Sequence, residues 1–517
     1  MDVSKKQPTD DESVRLQKII EEKDKTIAIL EDEIEYWKRR LFGSKSEKLT
    51  DEELYQSNLF NEAECGSEEP REPEETILVP AHKKRKGKRK PLPSWLSVEE
   101  VIHVLPEDEL QCPCGCKMEK IGEETSEKLI MIPARAKRER HIRYKYACKK
   151  CEGTASEDEG GAVKIAPLPP SLIPKSLATP SLLAFLFISK FCDALPFYRI
   201  GNIINRLGIE LSRQTMCRWA ITVAEKLTTF MELLKAELLR GDVIGADETT
   251  HQVIKEPNRE AKSKSYMWAF RGGDPEKPVV IYHYRETRSG DFLEEFLSGF
   301  QGTVVCDAYS GYDHLKAVVG IILAACWAHV RRKFFEAAKV SRKNCSSAYE
   351  GLSRIKKLYL IEKEAKAKKL TPEERQKLRQ KKAAPIIKDL KKWLDKKQKA
   401  VAPKTLLGKA VNYALKIWDR LIVYLDDGKI PIDNNFTENI IRPFVMGRKN
   451  WLFSFTPKGA GASAALYSII ETAKINDLEP YWYLHYLFKR LPEIETEEEL
   501  KQLLPQYIDP SVVSSQK

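Results

Sequence analysis

The chain contains no run of about twenty apolar residues, which argues against a transmembrane helix. Its first residues, MDVSKKQPTDDESV, carry no apolar signal core, so a cytoplasmic protein is expected. Eleven cysteines is an odd count, and Cys192, Cys306 and Cys326 sit inside apolar runs. That distribution argues against a disulfide framework and for a reducing compartment, with buried thiols and one metal cluster. Charge, in contrast, is plentiful: 87 Lys and Arg against 76 Asp and Glu leave a net +11. A basic balance favours a polyanionic partner, although it bears on association and not on fold. With 517 residues, 42% of them hydrophobic, the chain can bury a core and is expected to form several domains.

Residues 1–55 read as a coiled-coil oligomerisation segment. Leu16, Ile20, Lys23, Ile27, Leu30, Ile34, Trp37 and Leu41 alternate steps of four and three, and only Lys23 breaks the apolar seam. Such a seam predicts a homodimer or higher oligomer; the alternative is one amphipathic helix packed on its own protein. Residues 56–105 read as a linker, acidic and proline-containing at 61–76 and then strongly basic. The basic arm is Lys83, Lys84, Arg85, Lys86, Lys88, Arg89 and Lys90. A run of this kind neutralises phosphates without reading bases, or is simply a solvated linker.

Residues 106–153 read as a zinc-binding domain. Cys148-Lys-Lys-Cys151 is a regular knuckle, whereas Cys112-Pro-Cys-Gly-Cys116 offers Cys112, Cys114 and Cys116 for two places. Four thiolates suit structural Zn²⁺, so one of the three is surplus. Between the knuckles Arg138, Arg140 and Arg143 contribute to a basic stretch, and the alternation over 140–146 predicts a strand that could touch DNA. Residues 154–178 are rich in Gly and then Pro and read as a linker. Residues 179–240 turn helical. A helix, a Gly-containing turn near Gly208 and a helix opening Ser-Arg-Gln-Thr resemble a helix-turn-helix, with Arg213 and Arg218 as candidate DNA contacts; plain helical packing is the alternative.

From Asp242 the pattern is strand at 242–254, 265–272 and 278–284, helix at 290–298, strand at 302–308, then a strand-to-helix unit over 320–335. That is ribonuclease-H-like order. Asp247 lies in the first strand, Asp307 ends the fourth, and Glu438 falls in a late helix-like stretch, the three positions at which such a fold gathers acids. Three carboxylates so gathered can hold two Mg²⁺ ions, which stabilise the attacking and leaving oxygens of a phosphodiester. Glu248 follows Asp247 and should face the other side of its strand; Asp433 precedes the helix. The expected fold is therefore multidomain α/β: a ribonuclease-H-like mixed sheet at 241–340 and 429–475, a Lys-rich helical insertion at 341–428, and a C-terminal tail at 476–517. His329, Arg331 and Arg332 follow the fifth strand and are candidates to face the cleft. Arg442, Arg448 and Lys449 lie near Glu438 as candidate phosphate contacts. Trp451 is read as a core tryptophan, with stacking on an unpaired base as the alternative.

At these residues the chain resembles the transposases of the insertion-sequence-66 family. The motifs are Asp247-Glu-Thr, Asp307-Ala-Tyr-Ser-Gly-Tyr312, Cys326-Trp-Ala-His-Val-Arg-Arg-Lys-Phe334, Asn435-Phe-Thr-Glu-Asn-Ile-Ile-Arg-Pro443 and Gly447-Arg-Lys-Asn-Trp-Leu-Phe453, together with Leu41-Phe-Gly-Ser-Lys-Ser-Glu-Lys48 and Leu466-Tyr-Ser-Ile-Ile-Glu-Thr-Ala-Lys474. The resemblance implies a DDE transposase with Asp247, Asp307 and Glu438 as its triad and Mg²⁺ or Mn²⁺ as its ions. It implies double-stranded DNA, both element ends and target, as the partner, a nucleoid-associated location, and small accessory proteins from the same element. The first knuckle departs from the family's C-P-x-C-G. Aligned on its Cys-Gly pair, the family pattern gives Cys112 and Cys114 as ligands beside Cys148 and Cys151, with Cys116 as the substitute. The competing readings are a structure-specific metal-dependent nuclease and a DNA-binding regulator with an inactive catalytic domain.

Overall fold

The computed structural model describes Lys23 and residues 136–147, 163–340 and 347–514. It divides into two compact units, Met1–Ser67 with Arg143–Lys517, and Glu68–Ile142. The heptad segment apart from Lys23, the basic arm at 83–90 and all five knuckle cysteines lie outside the described residues. In the smaller unit residues 136–142 are described; they are exposed, Arg138 and Arg140 included.

In the larger unit the alternation at 140–146 yields a shorter strand than expected. β1 (Lys145–Ala147) pairs antiparallel with β2 (Val163–Ile165), which comes from the stretch expected to be a linker. Among the described residues the ladder spans three residue pairs, the Ala166 N–H then donates to the Tyr144 carbonyl at 3.3 Å, and the Arg143 side chain donates to the Ala166 carbonyl at 2.6 Å.

Helices then follow the apolar periodicity: α1 (Pro180–Phe191), α2 (Phe197–Asn205), α3 (Arg213–Lys226) and α4 (Thr228–Leu238). Thr179 caps α1 and Ser212 caps α3, each through its hydroxyl oxygen. Gly208, at φ +78°, supplies the left-handed turn between α2 and α3. One face of α3 buries Met216, Trp219, Ala220 and Val223; the other presents Arg213, Gln214, Cys217 and Arg218 to solvent. These helices share one hydrophobic core with the sheet, Phe187, Met216 and Phe230 belonging to the same cluster as Phe270, Val280 and Tyr467.

The sheet comprises β3 (Val243–Gln252), β4 (Lys264–Asp274), β5 (Lys277–Arg285), β6 (Gly302–Cys306) and β7 (Ile321–Ala325), with the short α5 (Phe292–Phe296) before β6. Its order is β5-β4-β3-β6-β7. β3, β4 and β5 form an antiparallel meander, and β6 and β7 run parallel to β3. Ile244, Gly245 and Ala246 in β3 are consecutive buried residues, as expected of a central strand covered on both faces.

After β7 come α6 (Trp327–Val340) and the insertion, α7 (Ser347–Ala367), α8 (Pro372–Leu378), α9 (Ala384–Ala400), α10 (Leu406–Lys416) and α11 (Trp418–Ile422). Leu358, Leu390, Val411 and Leu421 form a second core with Trp327, Phe334 and Val305 of the sheet layer. A π-helical turn, Arg379–Ala383, joins α8 to α9 and buries Arg379 completely. Its guanidinium meets both Glu362 oxygens at 2.8 and 2.7 Å and donates to the carbonyls of Tyr424, Asp427 and Ile430. A buried cation needs such a complete set of acceptors, and this set anchors the segment that leads into α12 (Asn435–Trp451). Finally α13 (Pro457–Ile475) lies on β5, its Thr472 and Ser468 hydroxyls accepting the Val280 and Tyr282 N–H groups. Residues 476–517, expected as a tail, contain the packed helix α14 (Pro480–Arg490), which buries Tyr483, Leu484, Leu487 and Phe488 and sets Phe488 edge-on to Phe187 at 5.8 Å.

Candidate active site

Register brings the first two acids together. On the parallel strands β3 and β6, Gly245 lies opposite Val305. Two residues further on are Asp247, still in β3, and Asp307, the first residue after β6, so the two acids follow equivalent positions of neighbouring strands, which are spaced about 4.8 Å apart.

Glu438 reaches them because the first turn of α12 docks on β3. A Cβ on Gly245 would fall 1.9 Å from the Thr437 hydroxyl and 2.6 Å from the Phe436 ring, so only glycine permits this approach. Three further bonds fix it. The Asn434 side chain donates to the Ala246 carbonyl at 2.9 Å, its N–H meets the Cys326 sulfur at 3.1 Å, and Arg271 donates to the Phe436 carbonyl at 3.2 Å.

The convergence shows in the electrostatics of Asp247. Its carboxyl is pushed well above the usual carboxylate range, first by burial and then by the charges of Glu248, Glu438 and Asp307; the Glu248 N–H, at 2.9 Å, pulls it back. Asp307 accepts from the Tyr309 N–H at 2.8 Å. The Glu438 oxygens lie 3.8 Å from His329 Nδ1 and 3.6 Å from an Arg332 nitrogen. His329 is held below the ordinary imidazole range by burial, against the pull of Glu438. Both His329 Nδ1 and Glu438 Oε1 are buried and have no hydrogen-bond partner. An unpartnered, buried carboxylate oxygen beside two more carboxylates fits a divalent cation, and the oxygen donors suit a hard one. Cys326 and His329 add softer donors, whose ligating atoms lie with that of Glu438 within 4.8 Å of one another.

The role of Glu248 was not legible in the sequence. Its side chain is only 1% exposed. It accepts two bonds from Arg288, at 2.9 and 2.5 Å, and one from the Tyr312 hydroxyl at 2.6 Å. Arg288 also lies 3.7 Å from the Tyr309 ring centre, and the Tyr309 hydroxyl donates to the Arg288 carbonyl at 3.0 Å. The network clamps the loop after Asp307, so the tyrosines of Asp307-Ala-Tyr-Ser-Gly-Tyr312 were its only trace in the sequence. Asp433 accepts from the N–H and side chain of Asn435, at 3.3 and 3.1 Å, in the turn that starts α12.

The candidate DNA contacts separate by burial. Arg213, Arg218, Arg332 and Lys449 are exposed, and Arg442 and Arg448 are half-buried. Arg448 donates to the Thr249 and Thr250 hydroxyls at 3.1 Å. Arg331 differs: it is 9% exposed and packs against the Tyr359 ring. Trp451 is half-buried against His251 and Phe444, which makes it a packing residue.

Comparison with known proteins agrees along the chain. The model described as "Transposase IS66 family" matches residues 175–462. The zinc-finger binding domain of transposase IS66 matches 109–152, which spans the knuckle cysteines. The IS66 C-terminal element matches 468–506, and "Transposase C of IS166 homeodomain" matches 29–101. Two relatives from Sinorhizobium fredii, "Uncharacterized protein y4jD" and "Uncharacterized protein y4qI", are each 30% identical to it. The first alignment covers 94% of this chain and 96% of the relative, the second 97% and 93%. The chain belongs to the IS66 family of transposases.

Proposed function

We propose that this protein is the DDE-type DNA transposase of a bacterial insertion sequence, with Asp247, Asp307 and Glu438 as its catalytic carboxylates on a ribonuclease-H-like sheet. The observation that carries the reading is geometric: Asp247 and Asp307 follow paired positions of the parallel strands β3 and β6, and the close approach at Gly245 seats the first turn of α12, with Glu438, against β3. Bound there, two Mg²⁺ or Mn²⁺ ions would supply Lewis-acid stabilisation to the attacking and leaving oxygens of a phosphodiester. The chain's own part is positional. Gly245 and Asn434 seat Glu438, the Glu248–Arg288–Tyr312 clamp seats the Asp307 loop, and Arg332 with the cations of α12 meets the phosphates. Cleavage at each element end frees a 3′-OH, and that hydroxyl then joins target DNA. One phosphodiester replaces another, so the exchange is balanced without a nucleotide.

The remaining parts of the chain fit this work as DNA-handling modules. Cys112, Cys114, Cys148 and Cys151 would hold a structural Zn²⁺, with Cys116 as the substitute. The basic arm and the exposed face of α3 would bind the element's terminal repeats, and the heptad segment would hold two subunits, each with one end. Small accessory proteins of the same element would complete the assembly in the cytoplasm, at the nucleoid.

The test is strand joining. Purified protein, Mg²⁺, a labelled DNA bearing the element's own end and a supercoiled target should give joined products. Glu438→Gln should bind the same DNA with unchanged affinity and lower joining by about 100-fold or more, beyond the loss typical of removing an outer partner of a metal ligand. Cleavage that persists in Glu438→Gln would assign the chemistry to other residues.

A further inference from the structure

The end of α12 remote from Glu438 carries a second feature. α12 ends at Leu452 in the left-handed region, φ +69°, and the chain continues as a short extended segment. This segment is pinned to the end of β3. The Ser454 N–H donates to the Gln252 carbonyl at 3.0 Å, Ile254 N–H to the Ser454 carbonyl at 3.0 Å, and Lys255 N–H to the Phe455 carbonyl at 2.9 Å. Ser454 points inward, its hydroxyl 2.9 Å from the buried His251 ring. Leu452, Phe453 and Phe455 face solvent, at 61%, 43% and 56% exposure.

Large apolar side chains held outward on a hydrogen-bonded backbone mark a contact surface. The surroundings say of what kind. Beside the segment lies an open cavity of about 470 Å³ lined by Lys262, Lys264, Arg448, Lys449 and Leu452. Lys255 sits 4.9 Å from the Phe455 ring centre. Among the described residues none of Lys255, Lys262, Lys264 or Lys449 pairs with a carboxylate. Cations without counter-charges beside exposed aromatic rings are the two components of a surface for unpaired nucleic acid, one for phosphates and one for base faces.

We propose that Phe453 and Phe455, with the adjoining lysine-lined cavity, form a docking site for an unpaired DNA base a few nucleotides from the scissile phosphate. Alternation puts the two rings on one side of the segment, with attachment points about 6.6 Å apart. That is the room a flat base takes when stacked on both faces at about 3.4 Å. Thirteen residues of α12 separate Glu438 from Trp451, where the helix ends just before the segment, about 20 Å of helix, so the base belongs within about seven nucleotides of the bond acted on. The site would hold a frayed or displaced end open and discriminate it from intact duplex. The inference rests on the transposase reading for the identity of its DNA.

The experiment uses the full chain and an element-end duplex nicked at the cleavage site, with 2-aminopurine placed in turn at the roughly seven positions on either side. Wild-type protein should change the emission at least 2-fold at one position. Phe453→Ala with Phe455→Ala should abolish that change and weaken binding to a frayed end about 10-fold, with less than 2-fold effect on fully paired DNA. Phe453→Trp with Phe455→Trp, which retains two stacking faces, should restore both. An unchanged signal at every position, or equal weakening on frayed and paired DNA, would overturn the proposal. Wild-type joining without any 2-aminopurine response would reject the base site and leave the transposase reading intact; a response without joining would do the reverse.

Discussion

Asp247 carries a burial cost beside its proposed chemical use. Its carboxyl is raised well above the ordinary range by burial and by three neighbouring acids, so the charged form strains the cation-free fold at neutral pH. A neutral isostere removes that strain. Asp247→Asn should therefore raise the melting temperature in the presence of a chelator while abolishing strand joining, and differential scanning calorimetry beside the joining assay would show whether the two effects part in this way. A second residue sets an acid limit. His251 is 1% exposed and its imidazole is held down at about 3 by burial, with Arg448 and Lys190 adding to the effect. Unfolded, it would take up a proton near its ordinary pKa of about 6.5. Its contribution to stability is thus fully present above that value and is lost as pH falls toward the folded value, by about 2 kcal/mol between pH 7 and 5. Urea unfolding at both pH values should show that loss in the wild type and a smaller one in His251→Gln.

At the scale of elements, the sequence was informative where a pattern is local. The runs at 242–254, 265–272, 278–284 and 302–308 became β3, β4, β5 and β6 because apolar runs bounded by Gly and charged residues fit few other conformations. Asp247 and Asp307 could be placed because each ends its run of buried residues. What the pattern missed depends on distant partners. Glu248 gains its meaning from Arg288 and Tyr312, forty and sixty-four residues later, and Arg379 from carbonyls around position 427. The strand expected over 140–146 pairs with β2, among the described residues, over three residue pairs. Gly245 also belongs here, since nothing local marks it as the contact between β3 and α12. Gly245→Ala should cost about 1–3 kcal/mol by overpacking and, by pushing α12 outward, should lower joining by more than ten-fold even where the protein remains folded. A variant that melts lower but joins normally would show that Glu438 does not depend on this contact.

For the whole molecule the question is how a basic chain divides its DNA affinity between general attraction and recognition. The net charge of +11 is spread over arm, helices and core, and each cation that neutralises a phosphate adds about 0.9 to the slope of log affinity against log salt. The arm at 83–90 carries seven cations and no aromatic residue, so it is equipped to hold phosphate and not to read bases. α3 differs, with Arg213 and Arg218 on a capped helix whose other face is fixed in the core, and in the proposed reading it is the element that discriminates base edges. The two contributions should separate in one titration. Replacing the arm's seven cations by serine should reduce the salt slope by up to about 6 and leave the ratio of end-sequence to random-sequence affinity unchanged. Arg213→Ala with Arg218→Ala should reduce that ratio while moving the slope by no more than about 2. Fluorescence anisotropy across a salt series distinguishes the outcomes, and a loss of sequence preference on removing the arm would transfer recognition from α3 to the N-terminal half of the chain.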